Sequence, residues 1–189
     1  MSTEIVVKLS NRHIHLTEKT KKALFGDKEL NIYRYLNKAE TLFAYKETVT
    51  ICGPKGKISG VRVLGPLRKD TQAELLKGDC YTLGVECPVI DSVDPEVAAV
   101  LTIEGPEGCI EVPCGILARR HIHMGKEFCE KYGLKDRQVV DVQTKGERSV
   151  IFRNVLIRCE NGAACVMHID TEEGNAAGLI SGETAEILM

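Results

Sequence analysis

The chain has 189 residues, of which 43% are hydrophobic and 28% charged, so it is long enough for one large or two small globular domains. Its net charge of −2 excludes a general electrostatic attraction to nucleic acid or an anionic membrane, and the lack of Trp argues against a base-stacking platform. The start, MSTEIVVKLS, resembles no signal peptide, and no segment is apolar enough to span a bilayer. We therefore expect a cytoplasmic protein.

Strand signals dominate the chain. Short runs rich in β-branched residues alternate with Gly, Pro, Asn or Lys-Gly turns and predict strands. In chain order the runs are EIVVKL, TVTIC, KISGVRVL, AAVLTI, CIEVP, QVVDVQT, SVIFRNVLIR and AACVMHI. Helices of about three turns are predicted over residues 17–26, with Thr17 as N-cap, and over 125–134, and a shorter helical turn over 170–179.

The tetrapeptide Arg-His-Ile-His occurs twice, at 12–15 and 120–123, and these two copies hold four of the five histidines. In each half a strand leads into the tetrapeptide, a helix follows, and a β-hairpin comes next. This order predicts a mainly β fold of two small β-barrel domains related by duplication. The expected domains are 1–90 and 91–189, with segments free to cross over between them.

The spacing of the histidines within each copy indicates metal binding. On a strand, residues i and i+2 lie on the same face, so the two imidazoles project together while the Ile between them faces the core. Such a pair offers two neutral nitrogen donors to one divalent cation such as zinc. A single histidine is more often a hydrogen-bonded structural residue, but the repetition with almost no spare histidine favours a metal.

Each half also offers a third ligand. The last histidine, His168, lies in VMHID on the strand after the second hairpin, and Glu74 in TQAEL takes the corresponding place in the first half. Three protein ligands leave coordination positions open, which is typical of catalytic metals. The predicted sites are His13, His15 and Glu74 in the first half, and His121, His123 and His168 in the second.

A cupin pattern competes with this interpretation. Gly115, His121, His123 and Glu127 fit the string G-x5-H-x-H-x3-E. In cupins that Glu lies on a strand, whereas KEFCEKYGL predicts a helix. A cupin-like single-metal enzyme, and a non-catalytic metal-binding protein associated with a microcompartment, remain the alternatives.

A basic stretch, GPKGKISGVRVLGPLRKDTQAEL at 53–75, leads to Glu74. Arg68 lies just before the predicted ligand strand, where a guanidinium can bind a phosphate through two parallel hydrogen bonds. Arg158, at the end of the second hairpin, is its expected positional counterpart. The stretch is not a P-loop, and the chain has no dinucleotide-binding fingerprint.

The chain contains eight cysteines without a C-x-x-C pair. Because no secretion signal accompanies them, we predict reduced thiols, most of them small core residues.

The sequence resembles the PduL-type phosphate acyltransferases (phosphate propanoyltransferases) over nearly its whole length. The resemblance depends on SNRHIHLT, VTICGPKGKISGVRVLGPLRKDTQAEL, ARRHIHM and MHIDTEEGNAAG, in the order typical of that family. It implies two β-barrels with the active site in the cleft between them, two divalent metal ions per chain with zinc expected, and coenzyme A as a substrate. The implied reaction is acyl-CoA + phosphate ⇌ acyl phosphate + CoA, with acetyl or propanoyl groups transferred directly in a ternary complex.

The resemblance also assigns roles to residues. The triad with Glu74 is placed near the CoA sulfur, and Arg68 is the implied catalytic residue. The implied phosphate-binding residues are Arg68, Gln72, Ser92 and Arg158. The implied CoA-binding residues are Ser10, Asn11, Lys55, Arg62 and Asn175.

The sequence differs from the family pattern at two places that affect the expected substrate specificity, and its start affects the expected location of the protein. Ile90 follows Pro-Val where many members have Arg, and the usual DTDEAN reads DTEEGN here. The first motif begins at residue 10, which leaves no room for the N-terminal segment that targets members to microcompartments. We therefore expect a free cytoplasmic enzyme that handles acetyl groups. The sequence leaves open whether the chain forms a homo-oligomer. An acyl kinase is the expected metabolic partner, although the sequence encodes no contact with one.

Overall fold

The computed structural model describes residues 3–37, 39–91, 98–162 and 164–188, which form a mainly β fold with four short helices. The strands are β1 (Thr3–Ser10), β2 (His13–His15), β3 (Ile32–Tyr35), β4 (Phe43–Cys52), β5 (Lys57–Gly65), β6 (Gln72–Glu74), β7 (Val89–Ile90), β8 (Ala99–Glu104), β9 (Cys109–Ala118), β10 (His121–Gly125), β11 (Val139–Gln143), β12 (Ile151–Glu160), β13 (Val166–Asp170) and β14 (Thr184–Leu188). The helices are α1 (Glu18–Phe25), α2 (Lys77–Leu83), α3 (Lys126–Tyr132) and α4 (Thr171–Ala177).

The chain divides into two compact units, which we name after their first motif histidine. The His13 barrel comprises Arg12–Ala118, and the His121 barrel comprises Met1–Asn11 with Arg119–Met189. The first strand joins the later unit because β1 pairs in parallel with β13 and antiparallel with β14. This division differs from the expected boundary near residue 90. The cleft expected between the two barrels stays a prediction.

Each unit contains a closed barrel of six strands. In the His121 barrel the order is β1-β13-β10-β12-β11-β14, and β14 pairs with β1 to close it. In the His13 barrel the order is β4-β5-β2-β6-β9-β8, closed by pairing of β8 with β4. Strands β3 and β7 extend this second sheet from β4 and β9. The mainly β prediction with two barrels is confirmed.

The two barrels share their pairing directions as well as their strand number. In each, the His-Ile-His strand lies between one parallel and one antiparallel neighbour: β5 and β6 for β2, and β12 and β13 for β10. The remaining strands pair in matching directions around each ring. This shared topology is what the predicted duplication requires.

The isoleucine between each histidine pair faces the barrel interior. Ile14 and Ile122 are both fully buried. The facing residues on their neighbouring strands are also fully buried: Val63 and Ala73 in one barrel, Ile157 and Met167 in the other. Burying one such aliphatic side chain contributes about 1.5–3 kcal/mol. Because side chains alternate along a strand, this packing fixes the histidines on the outer wall.

The helices follow the sequence signals in part. Thr17 caps α1, as predicted, because its side chain accepts a hydrogen bond from the backbone N–H of Thr20. Helices α1 and α3 have 8 and 7 residues, about two turns instead of the expected three. Helix α4 matches the short turn expected over 170–179, whereas α2 was not predicted because Leu76, its N-cap, offers no side-chain cap. Among the described helices, none is long and apolar enough to cross a bilayer.

The cysteines correct one prediction. Cys80, Cys87 and Cys114 are buried in the core of the His13 barrel, as expected. Cys129 of α3 and Cys159 of β12 form a disulfide. The prediction of reduced thiols is therefore wrong for this pair, because the two residues are 30 positions apart in sequence and only the fold brings them together.

Candidate active site

The His13 barrel brings its three predicted metal ligands together. His13 of β2 lies directly opposite Glu74 of β6, with Nε2 of the imidazole 3.5 Å from Oε2 of the carboxylate. The rings of His13 and His15 meet edge to face, with centroids 5.1 Å apart. One ligand atom from each of the three residues lies within 4.8 Å of the other two.

The electrostatics of this triad favour the metal-binding forms of its side chains. The pKa of His15 is lowered to about 3, mainly by burial and in addition by the charges of His13 and Arg68. Burial by itself raises the pKa of Glu74, but His13 opposes it through charge and a hydrogen bond, and with His15 and Arg68 it lowers the pKa to about 2. At neutral pH both residues are therefore deprotonated, the form that a cation requires.

The donor set fits a divalent cation. Two imidazoles and one carboxylate are a common ligand set of catalytic zinc, whose tetrahedral bonds of about 2.0–2.1 Å place ligand atoms about 3.3 Å apart. The 3.5 Å between His13 Nε2 and Glu74 Oε2 is close to that spacing. In addition, Nδ1 of His15 is buried and has no hydrogen-bond partner of ordinary geometry among the described residues.

The His121 barrel repeats the arrangement with a third imidazole. His168 of β13 lies opposite His121 of β10, the register that Glu74 has opposite His13. The three ring centroids of His121, His123 and His168 are 4.9 to 5.3 Å apart. The three rings are therefore neighbours, but among the described residues only the His13 triad brings one ligand atom from each side chain within 4.8 Å of the others, so the second metal site stays a prediction.

Hydrogen bonds fix the tautomers of two of these histidines. Nδ1 of His121 is 2.8 Å from the backbone carbonyl oxygen of Arg119, and Nδ1 of His123 is 2.8 Å from a carboxylate oxygen of Glu160. A carbonyl or carboxylate oxygen accepts, so each Nδ1 donates, and in the neutral form of the ring Nε2 is the nitrogen that can bind a metal. Glu160 was missed in the sequence, although it follows Arg158 by two residues on the same strand face.

The predicted phosphate ligands divide between the barrels. The backbone N–H of Arg68 donates to the carbonyl of Leu16 at 2.8 Å, and its Nη1 donates to Oε1 of Gln72 at 3.2 Å. Gln72 is buried and lies opposite His15, so both residues adjoin the His13 triad. Ser92 lies outside the described residues.

Arg158 belongs to the other barrel, opposite His123 on β12. The residue in the same position of the His13 barrel is Leu64, opposite His15 on β5. The prediction that Arg158 is the positional counterpart of Arg68 is therefore wrong, because the hairpin ends do not align in register. Its expected role toward phosphate stays a prediction.

The predicted CoA ligands also fall on both units. Arg62 lies opposite His13, donates to the backbone carbonyls of Tyr45 and Lys46, and stacks over the ring of Tyr33 at 5.4 Å. The others are Lys55 in the loop beside the end of α2, Ser10 at the end of β1, Asn11 after it and Asn175 on α4. Their contacts with CoA stay predictions.

The sequence is similar to one known protein family over nearly its whole length. The sequence profile described as phosphate propanoyltransferase matches residues 6–180. The chain belongs to the phosphate propanoyltransferase family. Relatives named phosphate propanoyltransferase occur in Thermotoga maritima (46% identity over 97% of this chain and 89% of the relative), Rhodopseudomonas palustris (41%; 97% and 82%) and Rhodobacter capsulatus (43%; 93% and 82%).

Membership in the phosphate propanoyltransferase family makes the protein an acyltransferase. It also bears on the competing cupin pattern. Glu127, which a cupin would place on a strand, lies in helix α3. The helix and the family match together exclude the cupin-like alternative.

Proposed function

We propose that the protein transfers a short acyl group between coenzyme A and inorganic phosphate: acyl-CoA + phosphate ⇌ acyl phosphate + CoA, with acetyl- or propanoyl-CoA as substrate. The observation that supports it most is the His13 triad with Arg68 beside it, because a candidate metal site and an anion-binding guanidinium adjoin each other there. The names of the relatives, which mention phosphate and a propanoyl group, agree with this chemistry.

The proposal includes two divalent metal ions per chain, with zinc expected. One would be held by His13, His15 and Glu74, and the other by His121, His123 and His168. A divalent cation at these ligands supplies Lewis-acid stabilisation of negative charge, including that of a thiolate whose unperturbed pKa is about 8.5.

In this proposal the side chains of Arg68 and Gln72 bind and orient the phosphate. Arg68 neutralises the anion and presents two parallel donors, while Gln72 accepts one guanidinium hydrogen bond and restricts its orientation. A phosphate oxygen then attacks the thioester carbon, the carbon–sulfur bond breaks, and its electron pair leaves with the sulfur as CoA thiolate. Arg158 is proposed as a further phosphate ligand, and Arg62 and Lys55 as cationic partners of CoA.

Direct transfer is favoured over an acyl-cysteine intermediate. Burial raises the pKa of both Cys87 and Cys114 to about 12, and it also raises the pKa of Cys165, the cysteine nearest to His168 in sequence. A thiol with a raised pKa is a poor nucleophile at neutral pH because little thiolate is present. The kinetics should therefore be those of a ternary complex.

The test is a two-substrate assay with the purified full chain. Acetyl-CoA or propanoyl-CoA is mixed with phosphate, and both free thiol and acyl phosphate are followed. We expect equal amounts of the two products and initial-rate plots that intersect when both substrates are varied. Parallel plots would contradict direct transfer, and the lack of any phosphate-dependent thiol release would overturn the proposed reaction.

A further inference from the structure

The arginine of the first Arg-His-Ile-His motif forms an ion pair with an aspartate of helix α2. Nε of Arg12 donates to both carboxylate oxygens of Asp79, at 2.9 and 2.8 Å, and Nη2 lies 2.8 Å from Oδ1. The side chain of Asp79 is only 5% exposed. Such a two-point contact restricts geometry more than a single ion pair does.

Asp79 also fixes the chain at the end of β6. Its Oδ2 accepts a hydrogen bond of 2.9 Å from the backbone N–H of Leu76, the N-cap of α2. Leu76 follows Glu74 by two residues, and Arg12 directly precedes His13. One carboxylate therefore ties the start of the motif strand to the end of the strand that provides the third ligand.

The His121 barrel contains the same connection. Nε of Arg120 pairs with Oε1 of Glu173, whose Oε2 accepts a hydrogen bond of 3.0 Å from the backbone N–H of Asp170, the N-cap of α4. Asp170 follows His168 by two residues, and Arg120 directly precedes His121. In both barrels the carboxylate stands five residues after the third ligand, at Asp79 and Glu173.

The repetition is one of geometry and not of residue identity. The third ligand is a carboxylate in one barrel and an imidazole in the other, and the paired acid is Asp in one and Glu in the other. What the two share is the Arg–carboxylate pair beside each ligand triad. A pair that served helix capping alone would not need the arginine next to the first ligand.

We propose that Arg12–Asp79 and Arg120–Glu173 are positioning pairs that hold each third ligand at its distance from the motif strand and so set the affinity of each triad for a divalent cation. The proposal rests on the proposed function, because it needs the two triads to bind metal. None of the four residues is a ligand in it. Removing such supporting partners lowers metal affinity by about 10–100-fold in known sites.

The experiment isolates one triad at a time in the full chain. In a His121→Ala background only the His13 triad is complete, and its dissociation constant for Zn²⁺ is measured by competition with a chromophoric chelator. Asp79→Asn should raise that constant about 10–100-fold. Arg12→Lys keeps the charge but loses the two-point contact, so it should give a smaller increase. In a His13→Ala background, Glu173→Gln should weaken the remaining triad in the same way.

Two controls separate positioning from general destabilisation. Glu107→Gln removes the exposed Lys28–Glu107 ion pair of the same barrel and should leave the Zn²⁺ dissociation constant unchanged. Glu173→Gln in the His121→Ala background should also leave it unchanged, because the altered pair belongs to the other barrel. Melting temperatures of the metal-free variants are recorded alongside.

The outcomes are distinguishable. If Asp79→Asn lowers the melting temperature and leaves the Zn²⁺ affinity unchanged, the pair is purely structural and the inference is overturned. If Asp79→Asn does not fold, the folded Arg12→Lys variant decides: weaker binding supports positioning, and equal binding overturns it. If the unmodified chain binds no Zn²⁺, the proposed metal sites fail, and the positioning role fails with them.

Discussion

Glu74 and His168 occupy the same position in the two barrels, each directly opposite the first histidine of its Arg-His-Ile-His motif. One triad therefore contains a carboxylate where the other contains a neutral imidazole. With the same cation bound, the two sites would differ by one unit of charge. We infer that the two sites are not interchangeable.

Replacing the third ligand should remove one metal and leave the other. Glu74→Gln and His168→Gln each delete one ligating group, so we expect the metal content after dialysis to fall from two ions to one per chain, because two protein ligands hold a metal too weakly. Atomic emission analysis of the dialysed protein measures the ratio.

Glu127→Gln is the matched control for these two substitutions. This acid lies on α3, close to the second motif in sequence but in neither triad. Its replacement should leave two ions per chain. Loss of metal in Glu127→Gln, with retention in Glu74→Gln, would contradict the assigned ligands.

Replacing Arg68 should raise the KM for phosphate. Arg68→Lys keeps the charge but loses the planar two-point contact, so we expect the KM for phosphate to rise by about 10-fold, equivalent to about 1.4 kcal/mol, with a smaller change in the KM for acetyl-CoA. Lys69→Gln alters the next residue, which is exposed, and should leave both constants unchanged. An equal rise in the two variants would show that general positive charge, and not Arg68, attracts phosphate.

The metal-free protein should lose stability in mild acid because of His15. The pKa of this residue is lowered from 6.5 to about 3 by burial and then by His13 and Arg68. The unfolded state therefore binds a proton that the folded state does not, and stability falls as the pH drops below 6.5, by up to about 1.4 kcal/mol per pH unit. The pKa of Glu74 is lowered from 4.5 to about 2, so its contribution is lost only below 4.5.

Urea unfolding of chelator-treated protein at several pH values above 4.5 measures this dependence without interference from Glu74. The free energy of unfolding of His15→Gln should fall less steeply with decreasing pH than that of the unmodified protein, whatever its absolute value. Identical slopes would show that His15 does not titrate differently in the folded and unfolded states.

Thiol counting checks the disulfide. Denatured, unreduced protein should show six reactive thiols, the free cysteines of the structure. Cys129→Ser breaks the bond and releases Cys159, so the eight cysteines less one should all react, giving seven. Cys109→Ser, which removes an exposed free thiol, should give six less one, or five. Eight thiols in the unreduced, unmodified protein would contradict the bond.

Local signals in the sequence predicted most elements but not their assembly. The β-branched runs and the Thr17 cap correspond to strands and a helix of the structure because these signals act over a few residues. Helix α2 was missed because its Leu76 cap has no such signal. Helices α1 and α3 have about two turns instead of the expected three because the predicted ranges include the cap residues at both ends, which lie outside the helices.

The sequence by itself determined the two histidine pairs, their outward orientation through the buried isoleucines, and the choice of Glu74 and His168 as candidate third ligands, because periodicity and repetition are properties of the chain alone. The tertiary structure decided which strands meet. It moved β1 into the His121 barrel, separated Arg158 from the register of Arg68, and paired Arg12 with Asp79. These contacts join residues dozens of positions apart, and their formation depends on barrel closure and packing, which no local pattern encodes.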